Sequence, residues 1–482
     1  MTEPAGKERS PGIKLLLASL IGFVLMVPLL LVYALVYDRQ SQSETAQNSI
    51  NAGWGGVQVI AGPVIVVPFR TTQTQNEQVD GKTTTRVVEV EKYLYISPTE
   101  NKVTTTVKPE QRQKSIYRSV LYEAQVTGAA KFELPSDLPR FGVTRERLEW
   151  DRAELRMGAS DSRGLTKGGT LKANGTALEV QPGKGPGATG GQGFFSFLTW
   201  TGAEPLAIDY SFGLRGSRSL SLVPRGGHTS WDVSSTWASP GFSGAFLPEK
   251  PVITDKGFTA SYTVDKLALG QAPVAMDDPG PPSIDDGGGW RGNVQIMEKP
   301  AEPSAADTAS GSAVESISGQ ARAVTVGLVE PVDLYSKFNR SVKYGFLFIG
   351  FTFLAFLLFD VVGGARVAAA EYLLTGAGLV LFFVMLLAFA EVIGFLWSYL
   401  VASAAIISLL SAYSAAVLKS WKRGRFLGAM LVGLYALLFV LLNLEAWSLL
   451  IGSVLLFVAL AGVMYATRNV DWNNVGKKEV AV

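Results

Sequence analysis

Hydrophobic positions in this chain fall into two regimes. Residues 13–37 form one apolar run, about 300 mostly polar residues follow, and residues 342–467 are again almost continuously apolar with short charged breaks. A helix needs ~20 apolar residues to cross the hydrocarbon core of a bilayer. The pattern therefore predicts a multi-pass α-helical membrane protein with one leading anchor, a large water-facing domain over 38–341 and a C-terminal helical bundle. The breaks divide the bundle into five spans, 342–362, 371–390, 393–417, 426–444 and 447–467, with short tails at 1–12 and 468–482. The first run is longer than the ~7–15 residues of a signal-peptide core, and no small-residue cleavage site follows it, so an uncleaved anchor is expected. Pro28 inside it is tolerated in a membrane helix.

The middle region repeats with period two. Val120, Tyr122, Ala124 and Val126 share one face; so do Leu206, Ile208, Tyr210, Phe212 and Leu214, and again Phe258, Ala260, Tyr262 and Val264. Alternating side chains mark half-buried strands. Many such strands separated by Gly and Pro predict a β-rich, antiparallel, sandwich-like domain. Two stretches lack the apolar groups to offset the entropy of ordering. Residues 181–193 (QPGKGPGATGGQG) are expected to be a flexible loop, and 271–320, which contain DDPGPPSIDDGGG, a disordered insertion.

Charge adds orientation. Lys7, Arg9 and Lys14 precede or open the first span, Arg366 and then Lys419, Lys422, Arg423 and Arg425 fill alternate loops, and Arg468, Lys477 and Lys478 follow the last span. The intervening loops hold Glu391 and Glu445 without Lys or Arg. By the positive-inside rule both termini are cytoplasmic and the β-rich domain is outside. Asp360, Glu371, Glu391 and Glu445 all fall at span ends, where water is expected to reach them, so no span carries a mid-membrane charge of the kind that marks an ion path.

Composition excludes more than it assigns. The chain has no cysteine, one histidine and a formal net charge of +2. Disulfides are impossible, and a zinc or haem site, which needs several soft or imidazole ligands, is not expected; no metal and no cofactor are assigned. No clustered basic face points to nucleic acid.

Candidate chemistry is sparse. Leu334, Phe338 and Val342 repeat at i, i+4, i+8 in DLYSKFNRSVK, which reads either as an interfacial collar with Tyr335 and Phe338 at headgroup depth and Arg340 beside them, or as the first turns of the next span. Asn443, Glu445 and Trp447 lie together at another outer boundary. These six residues are the candidate binding positions. Ser243 in GFSGA, with His228 and Asp232 nearby in sequence, spells something close to a nucleophile elbow, but the surroundings read as antiparallel strand rather than strand–turn–helix. Asp161 and Arg163 read as a strand-end turn. No enzyme is expected.

Longer stretches carry a family likeness: GWGGVQVIAGPVIVVPF from Gly53, WDRAELRMGASDSRGL from Trp150, LRGSRSLSLVPRGG from Leu214, GFSGAFLPEKPVITDKGFTASYTVDKLA from Gly241 and EPVDLYSKFNRSVKYGFLFIGFTFLAFLLFD from Glu330. The chain resembles the CreD family of bacterial inner-membrane, cell-envelope-integrity proteins. That resemblance implies a periplasmic location for the β-rich domain and a role in envelope integrity, colicin tolerance and a two-component stress regulon, and brings no catalytic residue with it. The expected mode is binding, with membrane lipids around the spans and an envelope protein, lipid or glycan as ligand. Alternatives are a lipid or glycan carrier, which needs an apolar groove between the sheets, and a membrane modulator of a separate sensor kinase.

Overall fold

A computed structural model describes residues 11–79, 82–115, 117–166, 168–284, 320–328, 334–361, 367–443 and 448–468. The chain divides into two compact units, Met1–Glu44 with Val332–Val482, and Thr45–Pro331.

The helical unit is built from α1 (Pro11–Ala52), whose last residues run on into the other unit, α3 (Leu334–Val361), α4 (Ala369–Ile393), α5 (Phe395–Val417), α6 (Trp421–Asn443) and α7 (Ser448–Thr467). Five of these are long and apolar enough to cross a membrane; α7 carries a shorter apolar stretch, Leu450–Gly462. Helix α1 outruns the predicted 13–37 because its polar continuation is itself helix-forming, with i,i+4 hydrogen bonds from Gln42 to Asp38 at 2.9 Å and from Gln40 to Glu44 at 3.3 Å. Small residues set the packing. A Cβ on Gly424 would meet Ala415 at 2.6 Å and one on Gly428 would meet Ser411 at 2.5 Å, so α5 and α6 approach backbone to backbone. Gly345 and Gly376 make the same kind of notch for Leu29 and Leu25 of α1.

Between β-strands the second unit carries one short helix, α2 (Lys266–Leu269). Its strands are β1 (Gln58–Val79), β2 (Lys82–Ile96), β3 (Glu100–Lys114), β4 (Tyr117–Phe132), β5 (Glu154–Ala159), β6 (Thr170–Ala173), β7 (Thr176–Leu178), β8 (Gln181–Pro182) and β9 (Gly193–Phe197). They continue with β10 (Leu206–Ser217), β11 (Ser219–Val223), β12 (His228–Ser235), β13 (Pro240–Gly244), β14 (Val252–Thr254), β15 (Gly257–Asp265), β16 (Val274–Ala275) and β17 (Val324–Leu328). Among the described residues they form a nine-stranded sheet, ordered β13-β17-β11-β1-β5-β9-β8 with β2 also paired to β1 and β16 to β2, and an eight-stranded sheet, β14-β15-β12-β3-β4-β10-β6-β7. Pairing is mainly antiparallel, as the alternation leads one to expect; β1 with β11 and β3 with β12 are parallel, a distinction that period two does not encode.

The two sheets share one core. Strand β3 alternates exposed and buried through its first eight residues, and Val103 and Val107 point inward. Ring contacts cross the gap at Phe194–Phe212 (5.3 Å) and Phe242–Phe258 (5.8 Å). Buried polar groups cross it too: Tyr122 Oη donates to the Ser219 carbonyl at 2.8 Å, and Asn101, which accepts from Tyr210 Oη of its own sheet at 2.9 Å, donates to the Gly62 carbonyl of the other at 3.4 Å. Trp231, Tyr122, Tyr262, Phe132 and Phe212 are fully buried between the sheets, which leaves the interior packed with side chains.

Two expectations are corrected. Residues 181–193 are an ordered turn, not a flexible loop: β8 pairs with β9, and Gly185, Pro186, Ala188 and Thr189 are buried. Glycine permits the fold here because the backbone comes too close to Gln192 for a side chain at Gly185. Residues 271–284, expected to be disordered, are held by β16 pairing with β2, by buried Ile284 and by a buried ion pair between Asp278 and Arg225. Residues 285–319 of that segment lie outside the described residues.

Candidate functional site

The collar residues begin α3, which runs unbroken from Leu334 to Val361. The i, i+4, i+8 stripe faces the bundle: Phe338 and Val342 are buried and Leu334 packs against the same core. Phe338 turns into the bundle, where it stacks edge-on to Phe395 at 5.9 Å because Gly394 turns the chain there and α5 starts beside it. Tyr335 donates to Glu391 at 3.5 Å, and Arg39 of α1 approaches the same carboxylate at 4.0 Å. Lys337 donates to Asn443 Oδ1 at 3.0 Å and lies over the Phe395 ring at 5.1 Å. The structure thus brings Tyr335 and Asn443, far apart in sequence, to one end of the helical unit; Arg340 is half-buried on the same helix. Glu445 and Trp447 lie outside the described residues. Polar and aromatic groups mixed in this way suit a membrane–water boundary.

At the opposite end of α3 Asp360 is not water-exposed as expected. It is buried and pairs with Lys14 of α1 at 2.8 Å, since the leading helix packs along α3 and covers it.

The elbow-like spelling does not assemble. Ser243 lies in β13 of the nine-stranded sheet, antiparallel to β17, while His228 lies in β12 of the other sheet, bonded to Asp265 at 2.6 Å, and Asp232 accepts from Ser261 at 2.6 Å. Asp161 is the turn former anticipated: it accepts from the backbone N–H of Arg163 at 3.1 Å and of Gly56 at 3.3 Å. The Arg163 guanidinium, helped by those N–H groups, holds its carboxyl below the usual aspartate range.

Sequence reading missed a cleft of about 370 Å³ on the outward face of the nine-stranded sheet. Register builds it: Val66 of β1 lies opposite Tyr95 and Glu154, Pro68 opposite Tyr93, and Glu154 opposite Phe197. Buried Glu154 takes Arg156 at 2.8 Å and Lys184 at 2.5 Å; Lys184 also sits 4.9 Å above the Phe195 ring. Arg152 pairs with Glu91 at 2.8 Å and Glu149 at 2.5 Å, and the Tyr93 hydroxyl donates to Glu91 at 2.9 Å. These contacts lower the Glu91 carboxyl and raise the Tyr93 hydroxyl, the Arg152 hydrogen bond being the main cause for the first and the Glu91 hydrogen bond for the second. The one signal available in sequence was aromatic residues at alternate positions, Tyr93 with Tyr95 and Phe195 with Phe197, on faces that also carry charge.

The family described as Inner membrane protein CreD matches residues 10–473 of the chain. The chain belongs to the CreD family. It is 29% identical over 469 residues to the inner membrane protein CreD of Escherichia coli strain K12, covering 95% of this chain and 93% of that one. CreD-family membership and the apolar helices together make it a multi-pass inner-membrane protein. An M1 zinc metallopeptidase from Deinococcus radiodurans aligns with 34% of the CreD-family chain and 38% of its own, at 9% identity and a TM-score of 0.18, which carries no structural argument. Among the described residues no group of three or more His, Asp or Glu side chains is arranged to hold a metal ion.

Proposed function

We propose that the chain is a non-catalytic scaffold of the cell envelope: the helical unit anchors it in the inner membrane, and the β unit, on the periplasmic side, binds a partner protein and so contributes to envelope integrity and the envelope stress response. The alternation of basic loops supports that orientation. The observation that carries the reading is an open sheet edge on a unit whose interior is full. Among the described residues β14 ends the eight-stranded sheet, and all three of its residues are exposed, Val252 at 58% and Ile253 at 51%. A groove of about 430 Å³ runs beside it between Val107, Ser235, Thr254 and Phe258. Exposed apolar edges are surfaces that proteins cover, and strand addition is the usual way.

A photo-cross-linking residue at Ile253 of the full-length protein, activated in native membranes, tests this. A discrete protein adduct is the expected result; its absence argues against the scaffold. An adduct with lipid alone would favour the second reading, lipid handling. That reading draws on a groove of about 280 Å³ within the helical unit, where Gly22 and Leu29 of α1 face Gly350 and Phe353 of α3. It gains nothing from the β unit, whose sheets close on side chains rather than on a channel.

A further inference from the structure

The cleft on the outward face of the nine-stranded sheet is unrelated to the β14 edge and has the build of a ligand site. Its volume, about 370 Å³, lies within the ~300–1,000 Å³ of small-molecule sites. Its lining divides into two kinds of surface. Phe197 and Tyr93 leave 54% and 39% of themselves open to solvent. Around them stand Arg152, Arg156, Lys184, Glu154 and Asp151.

The charges in the cleft are already matched. Arg156 and Lys184 share Glu154, and Arg152 holds Glu91 and Glu149. A phosphate or carboxylate ligand would have to compete with carboxylates in place, one of them buried, and would meet no net positive field. An acyl chain would strand these charges without water. What the lining offers instead is donors and acceptors held side by side at fixed spacing, next to flat apolar rings. Guanidinium N–H groups and carboxylate oxygens so arranged suit the adjacent hydroxyls of a pyranose, while the C–H face of the same sugar lies on an aromatic ring.

We propose that this cleft binds a short, uncharged saccharide, with Phe197 and Tyr93 as the stacking platform and Arg156, Lys184 and Glu154 as the hydroxyl-reading group. The proposal goes beyond the scaffold reading, since it holds whichever protein meets β14 and on whichever side of the membrane the unit lies.

The test uses full-length protein in detergent, with chitotriose and maltotriose as probes and inorganic phosphate as the anionic control, read by titration calorimetry and by saturation transfer to the sugar protons. Saturable binding of either trisaccharide on the order of 1 mM or tighter is expected. Phe197→Ala and Tyr93→Ala should each weaken it by about tenfold, the loss of one stacked ring, with melting temperature unchanged because both rings lie outside the core. Ile253→Ala, at the opposite concern of the scaffold reading, should bind normally. An N-acetylated or a plain glucose preference between the two probes identifies the sugar class. Three results would overturn the proposal: no binding of either sugar by a folded protein, binding that both aromatic variants leave intact, or phosphate binding that displaces the sugar. None of these touches the Ile253 cross-link, so the two readings fail separately.

Discussion

Tyr210 shows how single residues hold the sheets together. Its hydroxyl donates to Asn101 Oδ1, and Asn101 in turn donates to the Gly62 carbonyl of the other sheet at 3.4 Å. Tyr210→Phe leaves a buried acceptor unpaired, which costs ~1–3 kcal/mol; denaturant unfolding should register that loss with little change in the slope of the transition. Asp161 gives a pH signature. Its carboxyl titrates lower in the folded protein than in the unfolded chain, so the stabilisation is present above the ordinary aspartate value of ~3.9 and is lost as pH falls through the lower folded value. The stability difference between the protein and Asp161→Asn should therefore shrink below about pH 4; a difference that grows on acidification would refute the assignment. At this scale the sequence was a partial guide. The turn at Asp161 was legible because Asp–x–Arg–Gly is local chemistry. The burial of Phe338 and Asp360 was not, because each is covered by a helix remote in sequence.

Elements were more legible than their partners. Period two located the strands, and apolar length located the helices, yet neither says which edge stays open. For the helices, contact runs through glycine. Gly428→Leu forces a side chain into Ser411, and overpacking of this kind costs ~1–3 kcal/mol; thermal denaturation in detergent should show the helical unit destabilised. Gly433, which meets nothing within 4 Å, is the matched site where the same change should be tolerated. For the strands, Ile253→Lys should abolish the adduct formed by a photo-cross-linking residue placed instead at the neighbouring Val252, without lowering the melting temperature, since Ile253 contributes an exposed side chain rather than core. The reading of 181–193 as flexible failed for a definite reason: glycine-rich composition signals freedom in the unfolded chain, and pairing of β8 with β9 removes that freedom in the fold.

For the whole molecule, the absence of cysteine makes topology directly measurable. Single cysteines at Ile253 and Lys422 should behave oppositely toward a membrane-impermeant maleimide: the first labelled once the outer membrane is permeabilised, the second only after the inner membrane is opened. Equal labelling, or the reverse order, would overturn the proposed orientation. Sequence by itself determined the class of molecule, because a bilayer selects for apolar length and a half-buried sheet selects for alternation, and both are local patterns. It also carried the family, through long ordered stretches. Only the tertiary structure decided what the β unit offers to a ligand. Glu154, Lys184, Phe197, Tyr93 and Arg152 come from separate strands and turns, and strand register together with the turns that flank β5 and β8 sets them around one cleft. The same holds for the collar, where Tyr335 meets Glu391 and Lys337 meets Asn443 because helix packing, not sequence neighbourhood, brings the ends of α3, α4 and α6 together.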